Sequence, residues 1–218
     1  MKRLIIAIDG PSGAGKGTIA RTLSQTLGYR HVDTGAMYRA VGWKADREGI
    51  ALDDEAAVAD LARRADIVVE GGVVSIDGHD VTRAIRTPEI DKVASSVARL
   101  PMVRAVLVTR QRAMGAGGGV VMEGRDIGTV VFPDADLKIY LDASAEERAR
   151  RRATDPAHTG SQAGQAAVAE AIEARDRSDT TRTVSPLTLA PDAVHIDTTG
   201  IPVDQVVARV MELVKART

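Results

Sequence analysis

The chain has 218 residues and a mass of 23.0 kDa, enough for one or two domains around a buried core. Its 29 Lys plus Arg against 30 Asp plus Glu leave a net charge of -1, so no bulk positive field gathers nucleic acid or an anionic membrane, and 2% aromatics cannot form a stacking platform for successive bases. Only 6 of the basic residues are Lys and 23 are Arg, so positive charge is carried mostly by a planar donor that grips phosphates in bidentate fashion; the absence of Cys excludes disulfides, thiol nucleophiles and thiolate metal sites.

The first apolar run, Leu4 to Ile8, is far too short to span a membrane and shorter than a signal-peptide core, so a soluble cytoplasmic protein is expected. Such short runs recur between amphipathic stretches. That is the pattern of an α/β protein with a parallel sheet flanked by helices. Strands are predicted at Leu4 to Ile8, Arg30 to Val32, Val120 to Glu123, Leu137 to Leu141 and Val194 to Ile196. The last helix is the plainest: after Pro202, residues Val203, Val206, Val207, Val210, Leu213 and Val214 share one face.

Between the second and third of these strands the alternation breaks. Ile67 to Val69 and Val73 to Ile76 flank Glu70-Gly71-Gly72 and read as an antiparallel hairpin, followed by helical patterns from Pro88 to about Met114. The expected organisation is one unit over 1–218, with a core at about 1–64 and 106–218 and an insertion at about 65–105. Residues from Ala153 to Ala167 lack apolar periodicity, and a lid is expected at about 150–168.

Directly after the first strand comes Asp9-Gly10-Pro11-Ser12-Gly13-Ala14-Gly15-Lys16-Gly17-Thr18, then the helical pattern Ile19, Ala20, Leu23, Leu27. A strand, a glycine-rich loop and a helix in that order form a P-loop, the type of loop on which a P-loop NTPase sheet is built. Its glycines let consecutive backbone N–H groups turn inward around phosphate oxygens beside the positive end of the helix, and Lys16 meets the outer phosphates. The usual pattern places Ser or Thr after the lysine to bind magnesium; here that position is Gly17, and Mg²⁺ is expected to arrive with ATP, held mainly by phosphates and water. Neither an NKxD-type guanine motif nor LSGGQ is present, which argues against a switch GTPase and an ABC ATPase.

Arginines accompany the loop. They stand in Asp33-Thr34-Gly35-Ala36-Met37-Tyr38-Arg39, at Arg104, in Glu123-Gly124-Arg125-Asp126-Ile127-Gly128-Thr129, in Ser144-Ala145-Glu146-Glu147-Arg148-Ala149-Arg150-Arg151-Arg152, and around Arg175, Asp179 and Arg182. Spacings of four and three place the last three on one face if the segment is helical. Arg63, Arg64, Arg86 and Arg209 read instead as solvated surface charge, Tyr38 as a packing residue, and His31, His79, His158 and His195 lack metal-ligand spacing, so no metal site of the protein's own is expected.

Taken together, GPSGAGKGT, DTGAMYR, VRAVLVTRQR, GRDIGTVVFPDADLKIYLDAS, SAEERARRR and RDRSDTTRTVSPL, in that order, resemble the bacterial cytidylate kinases over essentially the full chain. The resemblance implies transfer of the γ-phosphoryl group of ATP to CMP or dCMP, within pyrimidine nucleotide metabolism, by a monomer with no nucleic-acid or membrane partner. It identifies the insertion as a nucleoside monophosphate-binding domain. Residue by residue, it implies that Gly10, Pro11, Ser12, Gly13, Ala14, Gly15, Lys16, Gly17 and Thr18 bind ATP. Ser12, Arg39 and Arg125 are implied for the acceptor phosphate, Thr34, Arg104, Asp126 and Arg182 for cytosine, and Arg175 and Asp179 for the sugar. Lys16, Arg39 and Arg125, with lid arginines drawn from Arg148, Arg151 and Arg152, are the implied catalytic set. Rival readings are a kinase of UMP, AMP or another small acceptor, and a nucleotide-binding module without turnover.

Overall fold

A computed structural model describes residues 3–155 and 164–217; residues 156–163 of the expected lid, with His158, lie outside the described residues. The five anticipated strands form one sheet. They are β1 (Ile5–Asp9), β2 (Arg30–Asp33), β6 (Val120–Glu123), β7 (Leu137–Asp142) and β8 (Val194–Asp197), ordered β2-β6-β1-β7-β8 with every pair parallel. The central strands β1 and β6 are almost wholly buried, which is why they read as unbroken apolar runs. Helix α1 (Lys16–Leu27) packs Ile19, Ala20 and Leu23 beneath the sheet, and α8 (Val203–Lys215) adds Val206, Val210 and Val214 to the same cluster. Gly28 ends α1 in the left-handed region, φ +63, where its N–H reaches the Ser24 and Gln25 carbonyls.

A second apolar cluster belongs to the intervening elements: α2 (Thr34–Arg47), α3 (Glu55–Arg64), the antiparallel strands β3 (Ile67–Glu70), β4 (Val73–Ile76) and β5 (His79–Asp80), α4 (Pro88–Val97) and α5 (Pro101–Gly115). The hairpin registers Ile67 opposite Ile76 and Glu70 opposite Val73, so Ile67, Val69, Val74 and Ile76 all face inward. Side chains cap two of these helices: Asp33 accepts from Ala36 N at 3.0 Å on α2, and Thr87 from Ile90 N at 3.3 Å on α4, just ahead of Pro88. After β6, residues Ile127–Val131 form a π-helical turn that sequence periodicity did not foreshadow. Helices α6 (Ala145–Ala153) and α7 (Gln165–Thr181) pack together through Ala149, Val168 and Ile172. No described helix is long and apolar enough to cross a membrane.

Helix α2 approaches α4 closely at Gly42, where a Cβ would lie 2.5 Å from Val93 Cγ1. Gly42→Val is therefore expected to lower the free energy of unfolding by about 1–3 kcal/mol through overpacking, read by urea titration.

Candidate active site

Parallel strands aim their carboxyl ends the same way, and in this register Glu123 stands level with Asp33 on one side and Ile8 on the other, one residue before Asp9. Three acidic side chains thus mark one rim of the sheet, above a cleft of about 920 Å³. The P-loop rises from that rim. Gly10, Gly13 and Gly15 have φ of +145, +78 and +91, and a Cβ on Gly13 would press against the backbone of Arg148, so the loop admits no side chain there. Lys16 is 7% exposed and donates from Nζ to the Pro11 carbonyl at 2.6 Å. Burial, reinforced by the Arg125 guanidinium, pushes its ammonium well below the usual lysine range, a penalty that an anionic ligand relieves.

The position after Lys16 has a structural counterpart. A Cβ on Gly17 would sit 3.3 Å from Glu123 Oε1, so the carboxylate occupies the space that a Ser or Thr side chain fills in other P-loops. Glu123 is held by His31 Nε2 at 2.9 Å. Among the described residues no group of three or more acidic or His side chains could hold a metal unaided.

Asp9 organises the loop that follows β6. Its carboxylate accepts from Ile127 N at 2.8 Å and Gly128 N at 2.7 Å, tying the Arg125-Asp126 segment to β1. Burial pushes its pKa up to about 6, although the two backbone donors pull the other way.

The second set of sequence-predicted residues converges behind the cleft wall, next to Arg125. Asp126 is ion-paired with Arg104 Nη2 and lies 3.5 Å from Arg182 Nη2. Arg104 and Arg182 are 2% and 5% exposed; Arg104 Nε and Arg182 Nη2 have no hydrogen-bond partner among the described residues. Thr34 donates from its hydroxyl to the Glu123 carbonyl at 2.7 Å, keeping its lone pairs for another donor. Arg125 donates from Nε to Asp179 at 2.8 Å, and Asp179, against the cost of burial, is held below the usual carboxylate range by Arg125 and Arg175. Helix α7 stops at Thr181, so Arg182 stands in extended backbone rather than on the expected helical face; its guanidinium still reaches Asp179, at 3.8 Å.

The arginines of α6 separate by partner. Arg148 pairs with Asp176 and donates to the Ser12 carbonyl at 3.0 Å; Arg151 donates to Thr198 O at 2.7 Å and lies beside the Ala14 carbonyl at 3.5 Å, so both brace the P-loop. Arg152 crosses the cleft to Asp91 on α4. Arg150 is solvent-facing, paired with Glu147.

Sequence reasoning also missed residues. Arg86 is no free surface charge: it lines the cleft and donates to Asp33 Oδ2 at 2.8 Å, and with Arg39 it holds Asp33 well below the usual carboxylate range in spite of burial. The ring of Tyr38 lies under the Arg104 guanidinium, 5.3 Å from centroid to Cζ, which adds a cation–π contact to packing. Asp91 carried no local signal. Glu123 and Asp9 did, since each ends a strand immediately before a glycine-containing loop.

A parallel sheet with this loop at its topological switch point, faced by a ring of arginines, defines a P-loop protein of the nucleotide-kinase type. A family model described as cytidylate kinase matches residues 6–216. Curated proteins named cytidylate kinase from Desulfitobacterium hafniense and Pelotomaculum thermopropionicum are 51% and 52% identical, each over 97% of this chain and over 93% and 96% of their own length. The chain belongs to the cytidylate kinase family. Among solved structures, shikimate kinase from Acinetobacter baumannii shares the fold at a TM-score of 0.50 and 14% identity, covering 98% of this chain and 94% of that one.

Because the folded chain holds the Asp9 proton more tightly than an unfolded Asp does, ionising it costs stability. That cost is absent below 3.8, grows as the pH rises and is complete above about 6. Asp9→Asn removes it, so the difference in Tm between the variant and the wild type is expected to move in the variant's favour from the acid end of this window to the neutral end.

Proposed function

We propose that this chain transfers the γ-phosphoryl group of ATP to CMP and dCMP, releasing ADP and the diphosphate, as a cytoplasmic monomer. The observation that carries the reading is the meeting of two cationic sets in one cleft: the P-loop with Lys16, and Arg39, Arg125 and Arg175, behind which Asp179 links Arg125 to the buried Arg104–Asp126–Arg182 cluster. A module that binds one nucleotide without turnover has no use for the second set. Family membership over nearly the whole chain supports the same reading.

In this reading Gly10–Thr18 cradles the donor phosphates with backbone amides, and Lys16 neutralises the outer ones. Magnesium fits the residues present: Glu123, beside Gly17, and the Thr18 hydroxyl would hold the water shell of an ion that arrives with ATP. When bound, the ion neutralises charge between the donor phosphates. Arg39, Arg125 and Ser12 orient the acceptor phosphate for in-line attack, Arg175 and Asp179 hold the sugar, and Arg152 with Arg148 and Arg151 closes the site from α6 against water. No general base is required, because the attacking phosphate oxygen is already ionised. The unit built from α2 to α5, within which the 65–105 insertion lies, carries the acceptor, and residues about 150–168 form the lid.

Selectivity follows from donor and acceptor order. Cytosine offers an amino donor to Asp126 or Thr34 and acceptors to the arginines, whereas uracil turns a carbonyl toward the carboxylate and leaves buried partners unmatched. In an ADP-release assay over CMP, dCMP, UMP, AMP and GMP, CMP and dCMP are expected to give the highest kcat/KM. A higher value with UMP or AMP overturns the cytosine assignment.

Arg182→Met leaves Asp126 paired with Arg104. It is expected to shrink the CMP-to-UMP ratio of kcat/KM by about tenfold, as one lost base contact of about 1–3 kcal/mol requires. Lys16→Ala is expected to abolish turnover while circular dichroism shows the fold retained.

A further inference from the structure

Three cleft arginines from three different helices share one half-buried anion. Arg39 on α2 donates from Nε to Asp91 Oδ1 at 3.0 Å, Arg175 on α7 from Nη1 to the same oxygen at 3.3 Å, and Arg152 on α6 to Oδ2. Asp91 itself sits on α4, in the inserted part of the chain, with 17% of its side chain exposed. The three arginines line the cleft and the carboxylate stands behind them. The bond to Arg39 uses Nε and leaves both terminal nitrogens; Nη1 lies over Gly35, itself on the cleft wall, 3.2 Å from where a Cβ would be. Arg175 Nε is buried with no hydrogen-bond partner among the described residues, so that guanidinium also keeps donor capacity in reserve.

Without this anion Arg39, Arg175 and neighbouring Arg125 face one another unscreened. Burial and the charges of Arg39 and Arg125 bring the pKa of Arg175 down to about 10, and the three arginines hold Asp91 well below the usual carboxylate range despite burial. Arg152 differs from its neighbours Arg148 and Arg151, which are fastened to the P-loop side. Its ion pair spans α6 and α4.

We propose that Asp91 is a positioning residue for phosphoryl transfer: from behind the cleft it gathers Arg39, Arg175 and Arg152, and joins the lid helix α6 to the acceptor-binding helices before a nucleotide supplies negative charge. It touches neither substrate. The proposal rests on the reading of the cleft as a CMP kinase site, and two readouts keep them separable.

The first is kinetic. Asp91→Asn, a neutral isostere, is expected to raise KM for CMP about tenfold and lower kcat, with KM for ATP nearly unchanged, and Asp91→Glu to restore most of the loss. An unchanged KM for CMP in the folded Asn variant, or a Glu variant no better than Asn, overturns the proposal. Asp91→Ser stands in if Asn impairs folding.

The second needs no turnover. The chain has no cysteine, so spin labels placed at Ser96→Cys on α4 and Glu146→Cys on α6 report one distance. In nucleotide-free protein Asp91→Asn is expected to lengthen and broaden that distance distribution, and an identical distribution overturns the proposal. Wild-type protein inactive with every acceptor defeats the kinase reading alone, and the label distances then decide the role of Asp91.

Discussion

A site that must grip the phosphates of two nucleotides has to keep its cations together before either arrives. Two unit charges about 4 Å apart at an effective dielectric of about 20 repel by about 4 kcal/mol, and here Lys16, Arg39, Arg125, Arg152 and Arg175 line one cleft. The structure meets this with buried and half-buried carboxylates, each assigned to particular arginines: Asp91 to Arg39, Arg152 and Arg175, Asp179 to Arg125, Asp126 to Arg104 and Arg182, Asp33 to Arg86. Each pair is confined by packing, so the guanidinium planes are set in advance and binding does not have to order them.

The carboxylates are supplied by different layers of the fold. Asp9, Asp33 and Glu123 come from the ends of adjacent parallel strands, Asp91 from the inserted helices, and Asp176 and Asp179 from α7. The cleft is therefore the place where α6, α7 and the α2–α5 unit meet the P-loop through ion pairs and hydrogen bonds, while away from it Val108 and Met114 of α5 pack against the sheet beside Val120 and Met122. Interfaces of that kind open and close at lower cost than a continuous core, which suits an enzyme that must admit two nucleotides and then exclude water.

Much of this architecture was legible in the chain. The five core strands, the hairpin and the final helix followed from apolar period and turn residues, and the P-loop followed from glycines with a lysine at set offsets after a strand. Arg104, Asp126 and Arg182 were singled out from separate motifs, and the fold brings them into contact. Arg86 was read as surface charge because its partner Asp33 lies 53 residues away. The π-helical turn escaped notice because its shape depends on Asp9, which takes the Ile127 and Gly128 amides from across 118 and 119 residues.

The sequence by itself determined which side chains are present and the local periods that make strands, helices and a phosphate-binding loop, because those depend on neighbours within a few residues. Only the tertiary structure decided which arginine meets which carboxylate. Gly17 acquires its counterpart in Glu123, and Asp91 its three arginines, through contacts between residues distant in sequence. Charge pairing depends on distance in space, and no local pattern in the chain records it.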